Sequence, residues 1–269
     1  MKFLYGILFT LLTIGSMAQP VIVTAHRGAS AYAPENTLEA VARALEIGVD
    51  RIEVDVATSK DGIVVCLHDK TLDRTCQVDG DVRDFTFEEL SAVKANKGFE
   101  ADFPEAVIPS LESIINLINA QCELVVEIKS GDEHYPQIEE KVAALIAEHD
   151  AYKWTLVHSF NDKVLDRLEK IDSRVRLQKL FVFRWRWPAI IQDFKFHAGK
   201  TSNYQVEAFG VASNFVKPKL VEEIHELGKQ IHVWTVDEPE EMEKLIEMGV
   251  DGIITNKPDV LKQVLKGNE

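Results

Sequence analysis

Cysteine is scarce in this chain. Three occur among 269 residues, Cys66, Cys76 and Cys122. An odd count at those spacings fits neither a disulfide framework nor a zinc site. Cys66 lies inside an apolar run and is expected in the core; Cys76 and Cys122 are the one pair open to bridging in an oxidising compartment. Basic residues are also short, with 30 Lys and Arg against 44 Asp and Glu and a net charge of −14 at pH 7. That balance excludes a broad nucleic-acid surface. It still permits an anionic small substrate held by a few local cations. Long apolar runs are missing after residue 18, so no membrane span is expected there. Nor does a Gly-x-Gly-x-x-Gly follow the first apolar strand, which argues against a dinucleotide-binding open sheet.

The one long apolar run stands at the start. Lys2, the run from Phe3 and the small-residue Ser16-Met17-Ala18 have the form of a secretory signal peptide over 1–18. Secretion or a periplasmic location is therefore expected, with no membrane anchor after cleavage. The remaining 19–269 suit one large domain.

Along that domain a rhythm repeats. Strands are expected at 21–26, 51–58, 123–129, 154–159, 175–181, 208–212, 231–236 and 252–255. Helices are expected after them, at 38–47, 136–149, 161–171, 189–197, 218–227, 239–248 and 258–265, with another at 110–120 before the third strand. Proline at helix starts and glycine at exits match the known end preferences. Asn36 or Thr37 is placed to cap the first helix. Eight strand–helix units predict a closed (β/α)8 barrel. The segment 70–109 keeps no period. It carries Gly80, Gly98, Pro104 and Pro109, and is expected to be an irregular insertion with one short helix around 86–94.

The second strand is the chemical centre of the sequence. In RIEVDVATSKDGIVVCLHD, residues 51–69, Glu53 and Asp55 are two apart and share one strand face. Asp61-Gly62 then turns the chain into a second apolar run, too soon for a parallel crossover. A hairpin is expected, bringing His68 roughly opposite Glu53. In a barrel of this kind the site lies at the C-terminal strand ends. His26 and Arg27, Glu53 and Asp55, Glu127 and Lys129, His158 to Phe160, and Trp234 to Asp237 all fall there. If Glu53, Asp55 and Glu127 converge, each pair about 4 Å apart repels by about 4 kcal/mol at an effective dielectric near 20. A hard divalent cation, Ca²⁺ or Mg²⁺, would relieve this; salt bridges to Lys129, Arg27 or Arg51 are the structural alternative. His26 and His68 at one mouth suggest a general acid and base. Arg27 and Lys129 suit an anionic phosphate or carboxylate. The other six histidines, His158 among them, are taken as core or surface residues. Together these groups are the equipment of phosphodiester cleavage.

At these residues the sequence resembles the glycerophosphodiester phosphodiesterase family. The segments HRGASAYAPENT (26–37), EVDVATSKDGIVVCLHD (53–69), VEIK (126–129) and VWTVDEPEEMEKLIEMGVDGIITNKPD (233–259) carry the likeness. It implies a (β/α)8 barrel and divalent-cation-dependent hydrolysis of glycerophosphodiesters to glycerol 3-phosphate and an alcohol. By motif match, His26 and His68 would be the acid/base pair, and Glu53, Asp55 and Glu127 the metal ligands. Arg27 and Lys129 would bind phosphate, Glu35 would support the site, and Trp234 would line the glycerol side, with Phe160 at the rim. The aromatic, basic FVFRWRW over 181–187 departs from the pattern. It leaves room for a lysophospholipase D-like activity on a lipid phosphodiester. A non-catalytic binding barrel is the reading of another class.

Overall fold

The computed structural model describes residues 20–181 and 205–267. The expected signal segment 1–18, the helix over 189–197 and all but the first residue of the 181–187 stretch lie outside these. Nine strands make one sheet. They are β1 (Ile22–Ala25), β2 (Arg51–Thr58), β3 (Val64–Cys66), β4 (Glu123–Ile128), β5 (Thr155–Ser159), β6 (Arg176–Phe181), β7 (Ala208–Ala212), β8 (Gln230–Trp234) and β9 (Gly252–Thr255). Eight run parallel, and β1 pairs both β9 and β2, closing a barrel. Strand β3 is the exception, antiparallel to β2. The predicted (β/α)8 fold with a hairpin after the second strand is the observed one.

Among the described residues the α-helices are α1 (Leu38–Ile47), α2 (Phe87–Leu90), α3 (Leu111–Ile118), α4 (Ile138–Glu148), α5 (Asp162–Ile171), α6 (Pro218–Glu226), α7 (Pro239–Glu247) and α8 (Pro258–Gly267). Their ends follow local chemistry. Thr37 caps α1 by accepting from the Ala40 amide, and Gly48 ends it in the left-handed region. Ser110 and Asn161 cap α3 and α5 in the same way. Proline opens α6 and α7.

Strand period 2 divides each barrel strand between two surroundings. Ile52, Val54 and Val56 of β2, and Leu124, Val126 and Ile128 of β4, join the apolar layer beneath the helices. The alternate residues, Arg51, Glu53 and Asp55 on β2 and Glu123 and Glu127 on β4, face the barrel interior. Neighbouring strands stand in register there, with Asp55 beside Glu127 and Glu127 beside His158. Fully buried Phe209 and the aliphatic residues of α3 complete the core.

The hairpin rungs are Thr58–Val64, Ala57–Val65 and Val56–Cys66, and the Leu67 amide still donates to the Asp55 carbonyl at 3.1 Å. Gly62 takes φ +82° at the turn. The ladder ends one residue before His68, which then bends into the mouth. In the insertion the one α-helix is shorter than the expected 86–94. Thr86 and Glu89 form a capping box on the four-residue α2, and Leu72, Cys76, Val82 and Leu90 are buried. All three cysteines are free thiols, so the conceivable Cys76–Cys122 bridge is not formed. Burial raises the Cys66 thiol far above its ordinary range, consistent with an inert core residue.

Candidate active site

The C-terminal strand ends surround a cavity of about 120 Å³. His26, Arg27, Glu53, His68, Glu127, Lys129 and His158 line it, together with Phe160, Leu180 and Trp234. The hairpin thus delivers His68 beside Glu53, and the strands bring the remaining predicted groups to the same mouth. Glu35 stands outside this cavity and reaches it through Arg27, with Oε1 2.8 Å from Nη1. Phe160 and Trp234 meet edge to face, 5.4 Å between ring centres. Trp234 keeps its buried Nε1 donor without a hydrogen-bond partner.

The turn after β1 sets the first pair of groups. Arg27 and Gly28 both adopt positive φ, +56° and +77°. A Cβ on Gly28 would stand 2.6 Å from the Ala40 backbone, so only glycine allows this close approach to α1. The tight turn directs the Arg27 amide onto Glu53 Oε2 at 2.9 Å. His26 leaves β1 with Nδ1 2.7 Å from Asn256 Oδ1. Asn256 donates its Nδ2 to Asp237 Oδ2 at 2.6 Å, and Ser30 donates to the same Oδ1 at 2.7 Å. The amide orientation is therefore determined, and the His26 nitrogen facing an acceptor-only oxygen must carry the hydrogen. Nε2 is left for chemistry. His68 is held in parallel fashion, Nδ1 2.6 Å from Asp69 Oδ1.

Three carboxylates do converge, and each has different company. Asp55 is fully engaged: Oδ1 with the Lys129 ammonium at 2.6 Å, Oδ2 with Asn36 Nδ2 at 3.0 Å and Arg27 Nε at 3.2 Å. Burial pushes this acid up, but Lys129 and Arg27 outweigh it and hold it well below the carboxylate range. Glu127 shares Lys129, yet burial and the charge of Asp55 raise it. Glu53 is also penalised by burial and by Asp55; His158 and His26 draw it down regardless. Lys129 is raised, since the two carboxylates overcome its burial. One cation between two acids is the structural pairing that the sequence left open. Asn36, the alternative helix cap, instead braces Asp55 from both its amide atoms.

His158 is the residue that sequence reasoning passed over. It is 2% exposed, and neither ring nitrogen has a hydrogen-bond partner. Its Nε2 lies 3.6 Å from Glu53 Oε1, itself an orphaned buried oxygen, and 3.7 Å from Glu127 Oε2. Glu53 Oε1 and the His158 ring nitrogens lack partners, and with Glu127 Oε2 close by they form a donor set that fits a divalent cation. Its signal was available: His158 is two residues after Leu156 on a strand whose neighbours offer acids at the same height. Arg74 was also missed. It leaves the insertion to bind both Glu35 oxygens, at 2.7 and 2.8 Å, and Asp69 at 2.6 Å. It thereby ties the carboxylate behind Arg27 to the one behind His68.

Comparison with known proteins gives a consistent result. Residues 26–260 match the Glycerophosphoryl diester phosphodiesterase family. A glycerophosphodiester phosphodiesterase of Caldanaerobacter subterraneus subsp. tengcongensis is 36% identical over 250 residues, covering 91% of this chain and 98% of that one. A crystal structure of glycerophosphodiester phosphodiesterase from Agrobacterium tumefaciens superposes with a TM-score of 0.77 at 26% identity, covering 90% of this chain and 99% of that one. The fold is shared also with an Oleispira antarctica phosphodiesterase, TM-score 0.77 at 24% identity over 92% of this chain and 97% of that one.

Proposed function

The chain belongs to the glycerophosphoryl diester phosphodiesterase family, and from that membership we propose hydrolysis of glycerophosphodiesters to glycerol 3-phosphate and an alcohol, with His26 and His68 as the acid/base pair. The observation that carries this reading is the matched anchoring of two histidines at one small cavity. Each has Nδ1 fixed by an oxygen acceptor and the other nitrogen left for proton transfer. Ester cleavage needs a proton removed from the attacking hydroxyl and one delivered to the departing oxygen. Arg27 and Lys129 are the cations for the phosphoryl oxygens. Lys129 already rests between Asp55 and Glu127, so an incoming phosphate replaces a carboxylate partner with another anion. Trp234 offers its unpartnered Nε1 to a glycerol hydroxyl, with Phe160 packed against the ring.

Glu53, Glu127 and His158 would hold a divalent cation, calcium or magnesium, which would supply positive charge to the phosphoryl oxygens; Asp55 would join them only by giving up its contact with Lys129 or Arg27. The apolar start of the chain supports export. The matching measurement is the N-terminal mass of protein recovered outside the cytoplasm, which should begin at Gln19.

The deciding assay follows glycerol 3-phosphate released from several glycerophosphodiesters, with and without chelator. Loss of turnover on chelation, restored by added calcium or magnesium, is expected. Full activity after thorough chelation would sink the metal assignment. Near-normal turnover by His26→Ala or His68→Ala would sink the acid/base assignment.

A further inference from the structure

A second cavity, about 500 Å³, adjoins the first and shares His26, Arg27 and Thr235 with it. It opens between the loops after β1, β8 and β9. Its remaining polar walls are Ser30, Glu35, Asp237, Asn256 and Lys257. The two cavities differ in kind. The inner one combines apolar walls, Phe160, Trp234, Leu180 and Ile254, with the charged groups. The outer one has no aromatic wall among the described residues, and Ala31 is its only apolar one.

A phosphodiester has two ester arms, and a phosphate on Arg27 beside His26 stands where the cavities meet. On the phosphodiesterase reading above, one arm is glycerol and fits the small inner cavity. We infer that the outer cavity is the leaving-alcohol subsite, and that it favours a hydroxyl-rich alcohol over one carrying a quaternary ammonium group.

The charges in that cavity decide the preference. Its two carboxylates differ: Glu35 is neutralised by two guanidinium groups, while Asp237 keeps its charge but has both oxygens occupied by neutral donors. Asp237 accepts from Thr255 Oγ1 at 3.0 Å and the Asn256 amide at 2.8 Å through Oδ1, and from Asn256 Nδ2 through Oδ2. Glu35 is clasped by Arg27 and Arg74. A trimethylammonium group has no hydrogen to donate and is recognised by aromatic faces, which the described walls lack. The loosely held group is Lys257. Its ammonium lies 3.4 Å from Glu238, an exposed partner, and can turn to a ligand. It is a donor for hydroxyl oxygens and repels a fixed cation. Ser30 adds a hydroxyl oxygen able to accept from a polyol, since its own hydrogen goes to Asn256.

The test compares kcat/KM for glycerophosphoinositol, glycerophosphoglycerol and glycerophosphocholine, by glycerol 3-phosphate release, in the wild type, Lys257→Ala and Lys257→Glu. The wild type should prefer the two polyol esters by about tenfold. Lys257→Ala should cut that preference about threefold. Lys257→Glu should abolish or reverse it, mainly through KM, since the substitution alters binding of the alcohol and leaves the proton-transfer groups in place. Thermal melting of each variant separates a folding defect from a change of preference. A wild-type enzyme that favours the choline ester, or a polyol-to-choline ratio unmoved by Lys257→Glu, overturns the subsite while leaving the phosphodiesterase reading intact. No glycerol 3-phosphate from any of the three overturns both.

Discussion

The two ends of this barrel are built from the same strands and solve opposite problems. At the N-terminal floor, Arg51 of β2 meets Glu123 of β4 at 2.5 Å, and Glu123 meets Arg176 of β6 at 2.6 Å. Arg176 continues to Glu207 at 2.9 Å. Arg51 also lies against the His232 ring, 3.3 Å from Nε2, where Gly252 leaves the space a side chain would fill. Each of these four charges has a partner. At the mouth, two to four residues further along β2 and β4, acids outnumber their cations, and Glu53, His158 and Trp234 hold buried atoms with none. Unsatisfied buried polar atoms cost about 1–3 kcal/mol each. The floor is thus arranged for stability, and the mouth carries unmet valence that a ligand can meet.

The largest expected difference tests that division directly. His26→Ala or His68→Ala should lower kcat by about 10²–10⁴-fold, while urea unfolding shifts by no more than about 0.5 kcal/mol. The reverse pattern is expected at the floor. Glu123→Ala strands Arg51 without its carboxylate and should cost about 3 kcal/mol in urea unfolding, with turnover per folded molecule unchanged. If either substitution moved both quantities together, the separation of roles would fail.

A pH experiment isolates the floor more gently. Burial, then Arg51 and His158, push the His232 imidazole down to about 3 from its ordinary 6.5. The ring is neutral in the folded state, whereas the unfolded chain binds a proton below 6.5. Its contribution is therefore complete above that pH and is lost as pH falls toward 3. Between pH 7.5 and pH 5 the loss is about 2 kcal/mol. Urea titrations at the two pH values should show it in the wild type and much less of it in His232→Gln.

Two smaller effects probe how the mouth is held. Asn256→Ala removes the acceptor that fixes the His26 ring, and kcat should fall about tenfold with KM nearly constant. An unchanged kcat would assign Asn256 to packing alone. Arg74→Ala, a half-exposed bridge, should cost about 0.5–1 kcal/mol of stability and a few-fold in kcat.

Much of the frame could be read from residues alone because barrel strands obey a short period. Once Glu53 and Asp55 are two apart, and Glu127 and Lys129 two apart, strand geometry places each pair on one face. Helix ends were equally local, as Pro218, Pro239 and Gly48 announce them. His158 escaped because a single histidine in TLVHS has no partner within its own segment. Only lateral register against Glu127 gives it a role. Asn256 escaped for the same reason at greater range, since the His26–Asn256 bond joins the first strand to the last. Arg74 sits in an aperiodic stretch, where sequence offers no phase to count. Pairings between distant segments depend on closure of the sheet, and closure is not encoded in any one window.

Strand β3 has a further consequence beyond delivering His68. On its β1 side, β2 is covered by that strand only through Arg51 and Ile52, and it runs on to Thr58. The three rungs of β3 cover the part that rises above the closed barrel. Without them a row of bare amides and carbonyls would face solvent beside apolar side chains, a template for joining another chain. The hairpin is therefore also a guard against edge-to-edge self-association. A shortened hairpin should announce itself by light scattering as soluble aggregates, at protein concentrations where the native chain stays dispersed.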